Sequence, residues 1–236
     1  METNTETKMR TKVFNVIILD KSGSMTSIAK QAIDGVNETI ASIRRSQEKH
    51  PENDNLLTLV AFCGCEIKMI YEQCPIGEVN PITSNDYKPC CMTPLYDAIG
   101  NTITTVHRLM ENEKNAIASV TIITDGYENA SKEFTHKAIK SLIEAYKSEG
   151  WLFAYIGAEH DVEAVSFSLS IDNKLAFDKN EEGTREMFCC LQDSRDSFID
   201  DVAPVMSSKI ISEDDKRQML RQRSKSFFRR KKDNNM

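Results

Sequence analysis

Hydrophobic and polar positions along the chain alternate between short apolar runs and stretches of helical period. Val13–Leu19 is a β-branched run without a charge, as a strand covered on both faces requires. From Ile28 the period changes. Ile28, Ala32, Ile33, Val36, Ile40 and Ile43 recur every three or four residues, which predicts a helix to about Arg45. Leu56–Phe62 predicts the next strand, Cys63-Gly64-Cys65 a tight turn, and Glu66–Tyr71 a strand returning antiparallel to it. Asn80–Met92 has neither period and predicts a long irregular connection, the kind of segment that often carries function. Leu95–Met110 places Leu95, Ile99, Ile103, Val106 and Met110 on one helical face. A buried strand over Ala116–Thr124 follows, then an amphipathic helix over Thr135–Lys147 stopped by Gly150, and a strand over Trp151–Ile156. Val162–Leu169 reads as a short helix, Lys174–Phe177 as a short strand and Glu181–Asp201 as a closing helix.

Strands alternating with helices predict an α/β fold: a doubly wound, Rossmann-like, mostly parallel sheet of about six strands, with one antiparallel edge strand and helices on both faces. The expected organisation is one domain over residues 1–210, its core spanning about 11–180 with a C-terminal helix added, and a separable, flexible tail over 211–236. The chain has 236 residues, enough to bury a core without disulfide or metal staples. Its N-terminal METNTETKMRTK lacks the apolar segment of a secretory signal, and no apolar run approaches membrane-spanning length.

Charge changes the picture at one place. The net charge is −6, yet nine Lys or Arg and one Asp fall in 216–236, so an acidic body carries a basic tail. Interleaved with Phe227 and Phe228, those charges make contact with nucleic acid or an anionic membrane a competing functional reading. The seven cysteines are an odd number, set as Cys63-Gly-Cys65, Cys74, Cys90-Cys91 and Cys189-Cys190. That is a poor disulfide framework, which favours free thiols in a reducing cytoplasm. With no C-x-x-C pair and no His at zinc-finger spacing, half-buried thiols are favoured over zinc. Oxidation or metal loading of Cys90 and Cys91 would nonetheless disturb the nearby Thr93.

The candidate chemistry lies at strand ends. Val13–Leu19 runs into Asp20-Lys21-Ser22-Gly23-Ser24-Met25, where alternate positions put a carboxylate and two hydroxyls on one side of the chain. Thr93 precedes Pro94 at a helix start, and Asp125 closes a strand in Thr124-Asp125-Gly126. Open α/β sheets bind ligands outside the carboxyl ends of their strands, and these donors are hard oxygens suited to magnesium rather than zinc. Taken singly, each is explained as a turn former or helix cap. Asp97 is read as a second-sphere carboxylate or as a capping residue.

The pattern D-x-S-x-S, a distant T before P-L, and T-D-G resembles the metal-ion-dependent adhesion site of von Willebrand factor A domains, over residues 11–180. DKSGSM, MTPLYDAIG and ITDGYENAS are similar to small stand-alone prokaryotic members. The resemblance implies Ser22, Ser24 and Thr93 as direct ligands of Mg2+ (Mn2+ or Ca2+ being alternatives), with Asp20 and Asp125 acting through water. It also implies an adaptor whose ion takes an Asp or Glu carboxylate from a partner protein. AAA-type ATPases, chelatase-like assemblies and stress-response systems are the settings the family suggests.

Catalysis is not expected. A phosphatase of the haloacid-dehalogenase kind needs a second Asp two residues after the first, and Ser22 stands there. G-x-S-x-G, H-E-x-x-H and a P-loop are absent from the sequence, and His50, His107, His136 and His160 have no motif partner.

Overall fold

The computed structural model describes residues 10–113, 115–158 and 162–228. His160, the first nine residues and the basic residues after 228 lie outside them. In chain order the elements are β1 (Thr11–Asp20), α1 (Ala29–Lys49), β2 (Asn53–Cys63), β3 (Glu66–Pro75), α2 (Leu95–Met110), β4 (Ala116–Thr124), α3 (His136–Ser148), β5 (Leu152–Ala158), α4 (Val162–Ser168), β6 (Asn173–Phe177), α5 (Glu181–Ser207) and α6 (Glu213–Ser224). Short 3-10 turns occupy Gly23–Ile28 and Ile76–Glu78.

The six strands are ordered β3-β2-β1-β4-β5-β6. β2 and β3 pair antiparallel and every other neighbouring pair is parallel. Chain connections leave β1 toward both edges, so the carboxyl ends of β1 and β4 flank the point where strand order reverses. Alternate residues of β1 serve opposite layers, as a pleated strand with period two must. Val13, Ile17 and Leu19 pack with α1 and α5, whereas Phe14, Val16 and Ile18 pack with α2 and α3. A sheet sandwiched in this way needs apolar side chains on both faces, and this is why β1 and β4 read as runs rather than alternations.

Two expectations fail. α5 continues past Asp201 to Ser207, because Val202, Ala203 and Met206 extend its buried face. The larger correction concerns the segment expected to be a flexible tail from 211. Residues 213–224 form α6, and Leu220 and Phe227 are buried against the body, with Phe227 edge-on to Phe198 at 6.0 Å. Ser212 caps α6 through the Asp215 amide, while Asn173 donates to the Ser224 carbonyl and accepts from the Phe227 amide. Basic composition hid this docking. Lys and Arg lay their aliphatic stems along an apolar surface while the charge is paired at its edge. Lys216 is buried beside Glu213, and Arg223 reaches Asp201 at 2.5 Å. Among the described residues no helix is long and apolar enough to cross a membrane.

Candidate metal centre

β1 delivers Asp20 to the switch point fully buried. One carboxylate oxygen accepts from the Ser22 amide at 2.6 Å and the other from the Thr124 hydroxyl at 2.6 Å. With both oxygens occupied by protein donors, Asp20 supplies charge to the site without having to touch an ion. Burial is the main influence on its acidity and raises its pKa to about 6, against the lowering effect of the Thr124 and Ser22 hydrogen bonds. Tyr87 donates to the Asp20 carbonyl at 2.6 Å, and burial, then the charge of Asp20, drive its phenol well above its usual range.

The other oxygens stand around this anchor. Ser22 Oγ and Ser24 Oγ are 3.0 Å apart, and Ser24 Oγ donates to Asp125 Oδ1 at 2.5 Å. Thr93 comes from the connection before α2. Its amide donates to Asn129 Oδ1 at 2.8 Å and its carbonyl accepts from the Asn129 amide at 3.1 Å, which ties it to the loop after β4. Gly126 fits between two of the hydroxyls, since a Cβ there would lie 3.7 Å from both Ser24 Oγ and Thr93 Oγ1. All five residues singled out from the sequence thus meet at one place.

Asp97 does not join them. Its carboxylate accepts from the amides of Lys132, Glu133 and Phe134 at 2.7, 2.9 and 2.8 Å, so it holds the β4–α3 loop against α2. Glu128 completes that clamp, accepting from Tyr96, Ala130 and Ser131 amides. The three described histidines stay away as well: His50 faces Glu52 and Asp200, His107 stacks on Tyr146, and His136 meets Tyr96 and Ser168.

Lys179 was missed in the sequence. It follows β6, and its ammonium lies 2.6 Å from Asp125 Oδ2, whose side chain is fully buried. A cation therefore already stands at this carboxylate. The donor set suits a small hard ion, because octahedral magnesium at ~2.1 Å separates adjacent ligand oxygens by about 3 Å, the spacing of Ser22 Oγ and Ser24 Oγ.

The fold compares with solved structures of low sequence identity. The VWA domain of SpRpn10 is 11% identical with a TM-score of 0.51, over 76% of this chain and 94% of that one. The fold is that of a von Willebrand factor A domain. A PilB minor pilin from Streptococcus sanguinis shares it at 12% identity and a TM-score of 0.58, over 80% of this chain and 62% of that one. Proximal thread matrix protein 1 of the mussel byssus does so at 11% identity and a TM-score of 0.52, over 80% of this chain. The chain spans about half the length of the mussel protein, 47% of it. No protein-family profile and no curated protein sequence matches the chain. Within the von Willebrand factor A fold, the five oxygen-bearing residues occupy the carboxyl end of the central strands β1 and β4.

Free thiols were expected of the cysteines, and Cys63, Cys74, Cys90, Cys189 and Cys190 are free. The exception lies where the turn Cys63-Gly64-Cys65 meets the connection bearing Cys90 and Cys91: Cys65 and Cys91 are joined as a disulfide. The pairing was not legible because 26 residues separate the partners and only the hairpin tip brings them together.

Proposed function

We propose that the chain is a protein-binding module, in which a divalent cation held by Ser22, Ser24 and Thr93 accepts a carboxylate from a partner. The observation that carries this reading is the convergence of three hydroxyls and two carboxylates at one strand-end crevice. When bound, the ion supplies an electrophilic point to which an acidic side chain can add. The protein's own residues set its strength: the inner donors are neutral hydroxyls, while Asp20 is held back by Ser22 and Thr124. Negative charge is thereby kept one step from the ion, and its appetite for an external carboxylate is preserved.

The surface around the crevice supports docking rather than turnover. Met92 and Tyr127, each next to a site segment, are 59% and 56% exposed and rim it with apolar surface. A partner would place Asp or Glu on the ion and apolar neighbours on that rim. Magnesium is the ion proposed, with manganese or calcium as alternatives, and a cytoplasmic adaptor the setting. The competing polyanion reading would have to do without Lys216 and Arg223, which are engaged within the chain.

The test is isothermal titration of Mg2+ into the parent and a Ser22→Ala/Ser24→Ala variant, with partner capture followed by EDTA elution. Saturable binding lost in the variant, with partners released by EDTA, is expected. Heat that is identical in both proteins sinks the proposal. Met92→Ala/Tyr127→Ala should weaken partner capture and leave the Mg2+ isotherm unchanged.

A further inference from the structure

A second cluster of metal-ligating side chains lies beside the first and is made of sulfur. Cys63 closes β2, Cys65 follows in the hairpin turn, and Cys90 and Cys91 approach from the connection that carries Thr93. The sulfurs of Cys63, Cys65 and Cys90 all lie within 4.8 Å of one another, and Cys63 Sγ is 3.3 Å from Cys90 Sγ. Cys91 is bonded to Cys65, so its sulfur belongs to the same group. Three clustered sulfurs and a fourth bonded to one of them offer the four thiolates that tetrahedral zinc takes, in which Zn–S bonds of ~2.3 Å space the sulfurs about 3.8 Å apart.

The backbone ties the Cys90–Cys91 loop both to the hairpin turn and to the segment after β1. The Gly64 amide donates to the Met92 carbonyl at 2.7 Å, the Gly23 amide to the Cys91 carbonyl at 3.0 Å, and the Cys90 amide to the Lys21 carbonyl at 2.9 Å. A Cβ at Gly64 would stand 3.0 Å from the Met92 nitrogen and 3.5 Å from Cys91 Cβ, so glycine between the two cysteines lets the loops approach without a backbone shift. Cys91 is held at φ 63, a sparsely populated conformation for a non-glycine residue and one that tends to mark functional positions.

We propose that, once the Cys65–Cys91 disulfide is reduced, Cys63, Cys65, Cys90 and Cys91 bind one thiophilic divalent cation of the zinc class, clamping the hairpin tip to the Thr93 loop. Reduction by a dithiol breaks the S–S bond by exchange: the dithiol leaves as its own disulfide and two protein thiols remain. Each thiol that ligates the ion then releases its proton to solvent. The soft sulfur site and the hard oxygen site select different ions. The clamp reaches Thr93 through Met92, and ion capture there sets how freely the Thr93 hydroxyl moves.

The experiment uses the full chain, reduced with a phosphine that becomes its oxide, desalted without oxygen and titrated with Co2+. A thiolate-to-cobalt charge-transfer band and the intense visible bands of a tetrahedral site are expected, bleached by Zn2+. Cys63→Ser and Cys90→Ser, which leave the Cys65–Cys91 pair intact, should lower the affinity by roughly 10–100-fold or more, a range that even outer-shell partners produce. Ser22→Ala/Ser24→Ala should keep the thiolate spectrum, so failure of the magnesium reading leaves this result standing. X-ray absorption of the zinc-loaded parent needs no variant and should show sulfur alone near 2.3 Å, roughly the zinc–thiolate distance. Absence of cobalt uptake by the reduced parent, oxygen-only coordination, or an unchanged spectrum in both cysteine variants overturns the proposal.

Discussion

The oxygen cluster and the sulfur cluster lie at the same end of the sheet, share the connection before α2, and are built on opposite plans. Asp20, Ser22 and Asp125 stand on or directly after the central strands, and hydrogen bonds from Thr124 and the Ser22 amide fix both carboxylate oxygens of Asp20. The cysteines instead sit on a hairpin tip and an irregular loop, joined by the Gly64–Met92 backbone hydrogen bond, while Lys21 and Gly23 tie the same loop to the end of β1. The difference teaches that rigidity and ligand type have been divided between neighbours. The central strands present hard donors with little freedom to move, whereas the edge hairpin presents soft donors whose approach depends on two loops closing. Thr93 belongs to both, pinned on one side by Asn129 and joined on the other to Cys91 through Met92.

The contrast is tested most severely at Asp125. Asp125→Ala removes the partner of both Ser24 and Lys179, leaving an ammonium only 19% exposed. It should cost about 3–5 kcal/mol, the usual penalty for breaking a buried ion pair, measured by urea denaturation. The cobalt–thiolate spectrum should survive below the transition. Loss of that spectrum in folded protein would show the two clusters to be one unit.

Asp20 sharpens the comparison through pH. Its pKa in the fold, about 6, is above the ordinary 3.8. A raised carboxyl pKa means the folded state prefers the protonated form. Its contribution to stability is therefore complete below about pH 4 and is lost as pH rises through about 6. In metal-free buffer, Asp20→Asn should gain on the parent by up to about 3 kcal/mol between pH 4 and 7. A stability difference that does not change with pH would contradict the burial argument. Added Mg2+ should reduce the gain, because only the parent's carboxylate offsets the ion's charge.

Glycines separate the clusters more finely. Gly64→Ala meets the Met92 backbone at 3.0 Å and should cost about 1–2 kcal/mol while weakening cobalt binding. Gly126→Ala adds a methyl at an ordinary 3.7 Å and should stay within about 0.5 kcal/mol of the parent. Lys179 is tested by metal affinity rather than by stability. Removing its ammonium in Lys179→Met frees Asp125 and should tighten Mg2+ by about tenfold in titration calorimetry.

Sequence alone was enough for the element order through α5, the antiparallel edge hairpin and the choice of the five oxygen-bearing residues as candidates. Local periodicity encodes which faces are buried, and a strand that ends at a site carries its donors in short spacings such as Asp20-x-Ser22-x-Ser24. Tertiary structure decided whatever depends on residues distant in the chain. Lys179 reaches Asp125 from the end of another strand. The four cysteines meet because a hairpin tip folds onto a loop, and no spacing in the sequence records that meeting. The basic segment docks as α6 because Leu220 and Phe227 find apolar partners on α5 and the sheet, an outcome composition cannot show because burial belongs to pairs of surfaces.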